Sequence, residues 1–393
     1  PPPQALYPHA GARPTTAAVI GAGIAGAAMA HALAQRGCAV AVYEAGPAPA
    51  AGASGNPAGL VMPRLDRGQG PVQALYLGAF VHAVAAYGAA LDRCGVIERD
   101  RPDLIADPPL PEDWLTPENE SDIVHRHAGL VRPAPLIEAW LQGADLRCSQ
   151  SVARLAHENG HWRLFNADGA RLGQADAVVL ANGAALNRFA QTAWLDLRLT
   201  AGQIECGACA DPPARVLLGE SYAAPFQGGL LFGATFDRVA VAEARPAPDA
   251  RARNLAALEA LAPALAARLD RRTLSSRAGV RAAAPDYAPI AGLAPDAPVW
   301  LARQAGLAHG RPPDLSAPAP AHANLYVLGG LGARGLTLAP ILAERIAAEM
   351  FGEPQILLRD ALAAAHPARF LHRTLKRGLT KPNLGETSDD DLD

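Results

Sequence analysis

The sequence predicts an α/β protein in which a dinucleotide-binding domain is built from separate pieces of the chain, with a strand-rich domain inserted between them. Three stretches, beginning near residues 16, 174 and 324, each show the pattern of a buried strand, a glycine turn and a helix. Short strand patterns over 199–236 predict the inserted domain. At 393 residues the chain is longer than one typical domain of about 100–200 residues, which also favours two domains.

The first of these stretches forms a complete βαβ unit. Strands are predicted over 16–21 and 38–44, and a helix over 24–37. The turn at 21–26 reads GAGIAG and matches GxGxxG, whose glycines permit a tight turn, a close approach to a pyrophosphate and close packing of helix and strand. Glu44 ends the second strand, where a carboxylate binds a ribose hydroxyl in Rossmann-type domains.

The stretch 52–65 follows this unit and reads GASGNPAGLVMPRL. Its side chains are too small to fill a core, so we expect its backbone to lie against the cofactor. Ser54 and Asn56 are placed to donate hydrogen bonds to phosphate or ribose oxygens. A linker rich in glycine and alanine is the alternative.

The third stretch contains the glycine-rich loop 329–337. A loop that opens a helix directs N–H groups and the positive end of the helix dipole at a ligand, which would stabilise negative charge on a reduced flavin ring. An ordinary connection between a strand and a helix is the alternative.

The remaining segments are predicted from periodicity and from the positions of proline and glycine. We expect helices over 73–91, 133–141 and 252–269, a loop over 101–126, and short strands over 146–169 that turn at 158–160 and 168–169.

Composition and charge exclude several classes of protein. A net charge of −3 gives no general attraction to nucleic acid, so a polyanionic partner requires a local basic patch. Five scattered cysteines favour a reducing cytoplasm, and the chain shows no secretory signal pattern and no predicted membrane span. No metal site is predicted, because neither Cys206 with Cys209 nor His125 with His127 has the further ligands that a metal requires.

Two arginines are candidates for substrate binding. Arg281 and Arg334 lie in predicted loops close to cofactor-binding segments. The planar guanidinium group of arginine suits a carboxylate. A surface arginine or a salt bridge is the alternative at each position.

Near the end of the chain, Arg369, Arg373, Lys376 and Arg377 recur at helical spacing with apolar residues between them. A basic amphipathic helix of this kind can bind phosphates, although a solvated surface helix has the same pattern. The Pro-rich residues 1–15 are predicted to be a linker, and the acidic residues 381–393 a disordered tail.

Taken together, these motifs resemble a known family. The marks of the resemblance are GxGxxG followed by GASGN, VVLANG, AGQ, GVRAAAPDYAPIAG, LYVLGGLGARGLTLAPILAERIAAEM and HPARFLHRTLKRG, over residues 17–379. In this order they are similar to the FAD-dependent oxidoreductase domain of the bifunctional tRNA 5-methylaminomethyl-2-thiouridine biosynthesis proteins, a branch of the D-amino-acid-oxidase-like flavoproteins. Pro57 departs from the family pattern, in which a charged residue follows the asparagine.

The resemblance implies a discontinuous Rossmann-type domain that binds FAD and an inserted antiparallel-sheet domain that covers the substrate. It implies that the carboxymethyl group is removed from 5-carboxymethylaminomethyl-(2-thio)uridine at the tRNA wobble position, which yields the aminomethyl nucleoside and glyoxylate. Arg281 and Arg334 would bind the substrate carboxylate, and Arg369, Arg373, Lys376 and Arg377 the tRNA. Oxygen is the implied electron acceptor, and a methyltransferase domain or protein would act on the product.

Two other functions stay open at this point. One is a FAD-dependent oxidase of free glycine, sarcosine or D-amino acids. The other is a flavin-containing protein that binds tRNA without turnover.

The predicted cofactor-binding residues come from short segments along the chain: Gly21, Gly23, Ile24, Ala25, Gly26, Glu44, Ala53, Ser54, Asn56, Gly59, Leu60, Val152, Ala181, Gly183, Gly330, Gly332, Arg334, Gly335, Leu336 and Thr337. The predicted bounds are 16–100, 140–198 and 276–352 for the FAD-binding domain, 101–139 and 199–275 for the substrate domain, and 353–380 for the basic C-terminal segment.

Overall fold

A computed structural model describes residues 13–65 and 70–377. The strands in these ranges are β1 (Thr16–Ile20), β2 (Ala39–Tyr43), β3 (Gly59–Val61), β4 (Leu91–Asp92), β5 (Val96–Glu98), β6 (Leu115–Pro117), β7 (Ile123–His125), β8 (Gly129–Val131), β9 (Asp145–Arg147), β10 (Arg154–Glu158), β11 (His161–Phe165), β12 (Arg171–Ala175), β13 (Ala177–Leu180), β14 (Arg198–Ala208), β15 (Val216–Leu218), β16 (Tyr222–Phe226), β17 (Gly229–Gly233), β18 (Asp237–Arg238), β19 (Ser275–Ala283), β20 (Ile290–Pro295) and β21 (Ala321–Gly329). The α-helices are α1 (Ile24–Ala34), α2 (Pro71–Tyr87), α3 (Pro102–Ala106), α4 (Pro133–Trp140), α5 (Pro248–Leu261), α6 (Pro263–Arg268), α7 (Ala297–Arg303), α8 (Gly335–Phe351), α9 (Arg359–Ala365) and α10 (Ala368–Lys376).

The first sheet unites the three stretches that the sequence singles out. Its order is β20-β21-β13-β1-β2-β9, and every neighbouring pair is parallel except β20 and β21. Strands β1, β13 and β21 lie side by side although more than 300 residues separate the first from the last. The discontinuous dinucleotide domain predicted from the sequence therefore assembles around this sheet.

Both faces of the first sheet are covered at its centre, which explains why β1, β13 and the second half of β21 are apolar. On β1, Ala17 and Val19 belong to the core cluster that contains α1 and α8. Ala18 and Ile20 point to the other face and pack with Trp162 of the three-stranded meander β10–β12. The meander turns where the sequence predicts, between β10 and β11 and between β11 and β12.

The second sheet is the inserted domain. Its order is β18-β14-β17-β16-β15-β5-β7-β6, and β19 pairs with β14. Helices α5 and α6 cover one face through a cluster that includes Leu258, Leu265 and Phe232. The sequence predicts one helix over 252–269, but the structure has two, because Pro263 lacks an N–H and begins the second helix.

Two predicted domain bounds differ from the structure. Strand β19 runs along β14 in an antiparallel register from Arg198 opposite Ala283 to Cys206 opposite Ser275, so it belongs to the second sheet. The prediction for 276–352 placed it in the FAD-binding domain. Strand β5 also joins the second sheet, and the predicted loop at 101–126 contains α3, β6 and β7. Long-range pairing decides all three cases, and short sequence patterns do not report it.

Helix α2 is an apolar element of the core. Together with the turn that extends it to Ala90, it is the one helix in the described residues that is long and apolar enough to cross a membrane. Leu75, Ala79 and Phe80 are nevertheless fully buried, and α2 packs along α8.

Candidate functional site

A cavity of about 1180 Å³ lies at the carboxyl ends of the parallel strands, between the two sheets. The first sheet contributes the residues that follow β1, β2, β13 and β21, and the second sheet contributes Ile204, Tyr222 and residues 278–282. Ligands of open α/β sheets bind at this edge of the strands. The cavity therefore has one wall of the kind that binds dinucleotides and one wall that belongs to the inserted domain.

The GxGxxG turn connects β1 to α1 at this edge. Gly21 has a φ of 102°, which favours glycine. A Cβ atom on Gly26 would lie 1.8 Å from the carbonyl oxygen of Gly21, so only glycine allows α1 to approach the turn this closely. Gly23, Ile24 and Ala25 line the cavity at the N-terminus of α1, which favours negatively charged groups such as phosphates.

The carboxylate of Glu44 is held at the end of β2. Its two oxygens accept hydrogen bonds from the N–H groups of Ala22 and Gly46, each at 2.8 Å. Glu44 lines the cavity next to the GxGxxG turn. Since each carboxylate oxygen has a second lone pair, the group can still accept a ribose hydroxyl.

The GASGN segment folds back onto the N-terminus of α1. The N–H of Ile24 donates to Ser54 Oγ at 3.0 Å, so Ser54 caps α1 from outside the helix. Arg277 on β19 donates to Asn56 Oδ1 at 2.7 Å and to the carbonyl oxygen of Gly52 at 2.6 Å. The amide N–H₂ of Asn56 keeps its donors, and the segment forms a wall of the cavity fixed from both sheets.

The glycine loop before α8 forms the opposite wall. Gly330 and Gly332 have positive φ values of 63° and 55°, and residues 328–336 line the cavity. Thr337 does not line it: its side chain is 1% exposed, and its hydroxyl donates to the carbonyl oxygen of Met62 at 3.4 Å. The prediction that Thr337 contacts the cofactor is therefore corrected, because the first turn of α8 directs this side chain into the core.

The other predicted cofactor residues line the same cavity, with the exception of Gly26, which instead allows α1 to pack closely against the turn. Those that line it are Gly21, Gly23, Ile24, Ala25, Glu44, Ala53, Ser54, Asn56, Gly59, Leu60, Val152, Ala181, Gly183, Gly330, Gly332, Arg334, Gly335 and Leu336.

The inserted domain presents Arg281 to the cavity. This guanidinium donates from Nη2 to the carbonyl oxygen of Thr235 at 2.9 Å and stacks 4.2 Å from the ring centre of Phe236. Burial lowers the pKa of Arg281, and the nearby Tyr222 only partly opposes this effect. Within the described ranges no carboxylate pairs with Arg281. Arg281 is thus a partly buried cation that faces a cavity and has no counter-charge among the described residues.

Two further polar groups line the same cavity as Arg281. Arg334 precedes α8, lines the cavity and donates from Nη1 to the carbonyl oxygen of Pro63 at 3.3 Å. Tyr222 lines the cavity from β16, and burial raises the pKa of its hydroxyl, which therefore stays protonated and able to donate. The two sheets together place Arg281, Arg334 and Tyr222 around one space that suits a carboxylate.

Sequence patterns miss Tyr222, Phe236 and Arg277. No motif contains the two aromatic residues, since they reach the cavity through the pairing of β16 and β17 and through the loop after β17. A signal for Arg277 does exist: it lies four residues before Arg281 on the same strand, so both side chains project from one face of β19.

The structure corrects one of the predicted tRNA contacts. Arg369 is 4% exposed, and its guanidinium binds both carboxylate oxygens of Asp286, at 2.9 and 3.0 Å. It also donates to the carbonyl oxygen of Ala288 at 2.9 Å. A buried and fully paired arginine is not available to a phosphate, and its role is to fasten α10 to the loop after β19.

The rest of the basic helix does reach the surface. Arg373 is exposed but also bonds Asp286, whereas Lys376 and Arg377 are exposed. The predicted linker at 1–15 lies mostly, and the acidic tail at 381–393 entirely, outside the described residues.

Comparison with known proteins identifies a matching family model, described as FAD dependent oxidoreductase, over residues 16–349. The chain is 38% identical to the tRNA 5-methylaminomethyl-2-thiouridine biosynthesis bifunctional protein MnmC of a Caulobacter species, an alignment that covers 92% of this chain and 58% of that protein. The protein of the same name from Thiobacillus denitrificans is 32% identical, with 91% of this chain and 60% of the relative covered. The chain thus spans less than two thirds of the length of these relatives.

Solved structures with the same fold include a glycine oxidase from Geobacillus kaustophilus, with a TM-score of 0.69 and 19% identity over 91% of this chain and 98% of that one. An iminodiacetate oxidase from a Chelativorans species has a TM-score of 0.66 and 22% identity over 89% of this chain and 98% of that one. At these identities the likeness shows the fold alone. It confirms the predicted α/β architecture with a discontinuous Rossmann-type domain and an inserted sheet domain.

Proposed function

Since this chain belongs to the FAD-dependent oxidoreductase family, we propose that it removes the carboxymethyl group from 5-carboxymethylaminomethyl-(2-thio)uridine at the wobble position of tRNA. The products are the 5-aminomethyl nucleoside and glyoxylate. The names of the relatives assign those proteins to the biosynthesis of a modified tRNA uridine. The observation that carries the proposal in this chain is Arg281, a partly buried cation that faces the cofactor cavity and has no carboxylate partner among the described residues.

FAD is the cofactor of this family, and the residues of the cavity fit it. The cavity, at about 1180 Å³, exceeds the roughly 300–1,000 Å³ typical of sites for drug-sized ligands, as a dinucleotide requires. The N-terminus of α1 would hold the phosphates, Glu44 the ribose, and the loop before α8 the ring. Bound FAD supplies a two-electron oxidant for a C–H bond next to an amine nitrogen.

The proposed substrate is an N-substituted glycine attached to a pyrimidine. Its N–CH₂–COO⁻ arm loses two electrons and two protons to become the imine N=CH–COO⁻. One water molecule then adds to the C=N bond, and cleavage of the C–N bond releases glyoxylate and leaves the primary amine on the nucleoside. Atoms and electrons balance without any group beyond water and the two-electron acceptor.

The residues of this chain would act by binding and orientation. Arg281 can take the substrate carboxylate in a bidentate pair, and the protonated hydroxyl of Tyr222 can donate to the same group. Arg334 would approach from the cofactor side. With the carboxylate fixed at one end, the adjacent CH₂ group is held in one position, and such fixation accounts for much of the rate in an oriented reaction.

Several partners form part of the proposal. Lys376 and Arg377 at the end of α10 supply positive charge for tRNA, while oxygen would be the final electron acceptor in the cytoplasm. A methyltransferase domain or protein would use the aminomethyl product. The term "bifunctional" in the names of the longer relatives supports a second activity of this kind.

Anaerobic titration of the FAD-loaded protein with tRNA that carries the carboxymethylaminomethyl group tests the proposal. We expect the flavin absorbance to bleach and glyoxylate to form in equal amount. Bleaching by free N-methylglycine alone would favour a small-molecule oxidase. A flavin that stays oxidised with bound tRNA would favour a binding protein without turnover, and either result contradicts the proposed reaction.

A further inference from the structure

Phe236 is an exposed aromatic side chain at the cofactor cavity. It follows β17, lines the cavity and is 61% exposed. The side chain thus offers an apolar aromatic surface to a ligand that enters the cavity.

One face of the Phe236 ring is already occupied. The guanidinium carbon of Arg281 lies 4.2 Å from the ring centre, and Arg281 is in turn anchored to the carbonyl oxygen of Thr235. The ring is therefore held beside the group that binds the carboxylate in the proposed function. The ring nevertheless remains 61% exposed and lines the cavity, so it keeps surface on which a ligand can pack.

Two arginines on the rim of the cavity complete this surface. Arg188 and Arg245 line the cavity, are exposed, and have no ion pair or hydrogen bond within residues 13–65 and 70–377. The carboxylates of Glu220 and Glu243 line it as well. Together with Arg281 and Arg334, which lie further inside, Arg188 and Arg245 make four arginines in the cavity lining. Of the three carboxylates in the lining, that of Glu44 accepts backbone N–H groups, which leaves those of Glu220 and Glu243 free among the described residues.

We propose that Phe236 is the platform on which the base of a single-stranded RNA nucleotide stacks, with Arg188 and Arg245 placed for the neighbouring phosphates. The inference rests on the proposed function, because it takes the carboxylate arm of the base to lie on Arg281. Aromatic side chains bind bases through their π-faces, and arginines at the same cavity can bind the phosphates of the RNA backbone. The inserted domain would thus recognise the base and its carboxylate arm with two residues that stack on each other.

The test uses the FAD-loaded protein and a synthetic anticodon stem-loop with 5-carboxymethylaminomethyluridine at the wobble position. Phe236→Ala is expected to raise the Kd of the stem-loop by about 5- to 150-fold, and Phe236→Trp to retain the affinity. A second stem-loop carries 2-aminopurine at the same position. Its fluorescence should be quenched by the wild type and by Phe236→Trp but not by Phe236→Ala.

Tyr287→Ala is the matched control. Tyr287 is 54% exposed and also has an arginine over its ring, with Arg198 at 5.6 Å, but it does not line the cavity. Its removal should leave the Kd unchanged. Equal Kd values for the wild type and Phe236→Ala, or quenching that survives Phe236→Ala, would overturn the stacking role.

The same experiment separates this inference from the proposed function. A wild type that binds the stem-loop without producing glyoxylate contradicts the reaction, while the dependence of the Kd on Phe236 still decides the stacking role. A loss of affinity in Phe236→Ala that Phe236→Trp does not restore would show that the ring only positions Arg281, and it would overturn the inference. A wild type that does not bind the stem-loop overturns both.

Discussion

Two arginines, the buried Arg369 and the partly buried Arg281, have opposite electrostatic environments. Arg369 on α10 binds both oxygens of Asp286 and three backbone carbonyl groups. Arg281 on β19 binds one backbone carbonyl group and the face of Phe236, and no carboxylate pairs with it in the described part of the chain. Burial lowers the pKa of both; the Asp286 carboxylate opposes this effect at Arg369, whereas at Arg281 the nearby Tyr222 opposes it only in part.

The comparison separates a structural arginine from one that is available to a ligand. A buried ion pair is complete within the protein, so removing one partner costs stability and leaves ligand binding unaffected. A buried guanidinium group without a partner has already lost hydration, and an anion that arrives can recover the lost interaction. The region around α10 is thus expected to respond to mutation by unfolding, and the cavity wall by loss of activity.

The largest effect is expected at the paired arginine. Asp286→Asn leaves Arg369 buried without a counter-charge, which should lower the free energy of unfolding by about 3–5 kcal/mol. Urea denaturation measures the change. Asp211→Asn, which breaks the exposed pair with Arg268, is the control and should cost less than about 1 kcal/mol. Equal costs for the two variants would contradict the structural role of the buried pair.

At the unpaired arginine the effect should fall on the reaction. Arg281→Met keeps much of the side-chain volume and removes the charge, so kcat/KM for the modified tRNA should fall by about 10- to 150-fold, as expected for loss of a charged hydrogen bond of about 1.5–3 kcal/mol. Anaerobic stopped-flow measurement of flavin reduction gives the rate. The free energy of unfolding should stay the same or rise; a decrease as large as that of Asp286→Asn would remove the distinction between the two arginines.

The pH dependence of stability should reflect the environment of the paired arginine. His366 beside Arg369 has a pKa well below 6.5, because it is buried and near Arg345 and Arg369. The imidazole of His366 therefore binds a proton more readily in the unfolded chain than in the folded one. The contribution of His366 to stability is complete above pH 6.5 and decreases as the pH falls below 6.5, by at most about 1.4 kcal/mol per pH unit.

A further loss is expected at lower pH from the carboxylate of the pair. Burial raises the pKa of Asp286, but the hydrogen bonds and charges of Arg369 and Arg373 outweigh this effect and hold the pKa below 3.8. The contribution of Asp286 to stability is present above pH 3.8 and is lost as the pH falls through the lowered value.

Urea denaturation between pH 7 and 5 tests the contribution of His366, and His366→Asn should flatten the dependence of the free energy of unfolding on pH in this range. If the free energy of unfolding of His366→Asn depended on pH as steeply as that of the wild type, groups other than His366 would cause the dependence.

The smallest effect is expected at the exposed end of α10. Lys376→Ala with Arg377→Ala should change the free energy of unfolding by no more than about 0.5 kcal/mol. Each phosphate contact that is lost should reduce the slope of log K against log salt for tRNA by about 1. Filter binding at several salt concentrations measures this slope. An unchanged slope would show that Lys376 and Arg377 do not contact the phosphates of tRNA.

Most residues that the sequence predicts for the cofactor side line the cavity, because they lie in turns and at strand ends of one βαβ unit or in loops of small residues. Gly21 and Gly26 belong to one turn, Glu44 reaches that turn from the end of the next strand, and small residues such as those in GASGN are recognisable without knowing their neighbours. Thr337 fails as a prediction since the direction of one side chain in the first turn of α8 depends on what α8 packs against. The substrate side depends on pairing across long distances in the chain, which is why Tyr222 and Phe236 carry no local signal.

By itself, the sequence determined the order of strands, glycine turns and helices, the dinucleotide-binding edge and the presence of arginines near it. Only the tertiary structure decided which arginine is neutralised. Arg369 and Arg281 look alike in the sequence, and each is near a polar residue and an aromatic one. Their difference arises because folding brings Asp286 to Arg369 across 83 residues and brings no carboxylate to Arg281 among the residues described. The energy of a charge depends on its partner and its solvation, and both are properties of the folded chain.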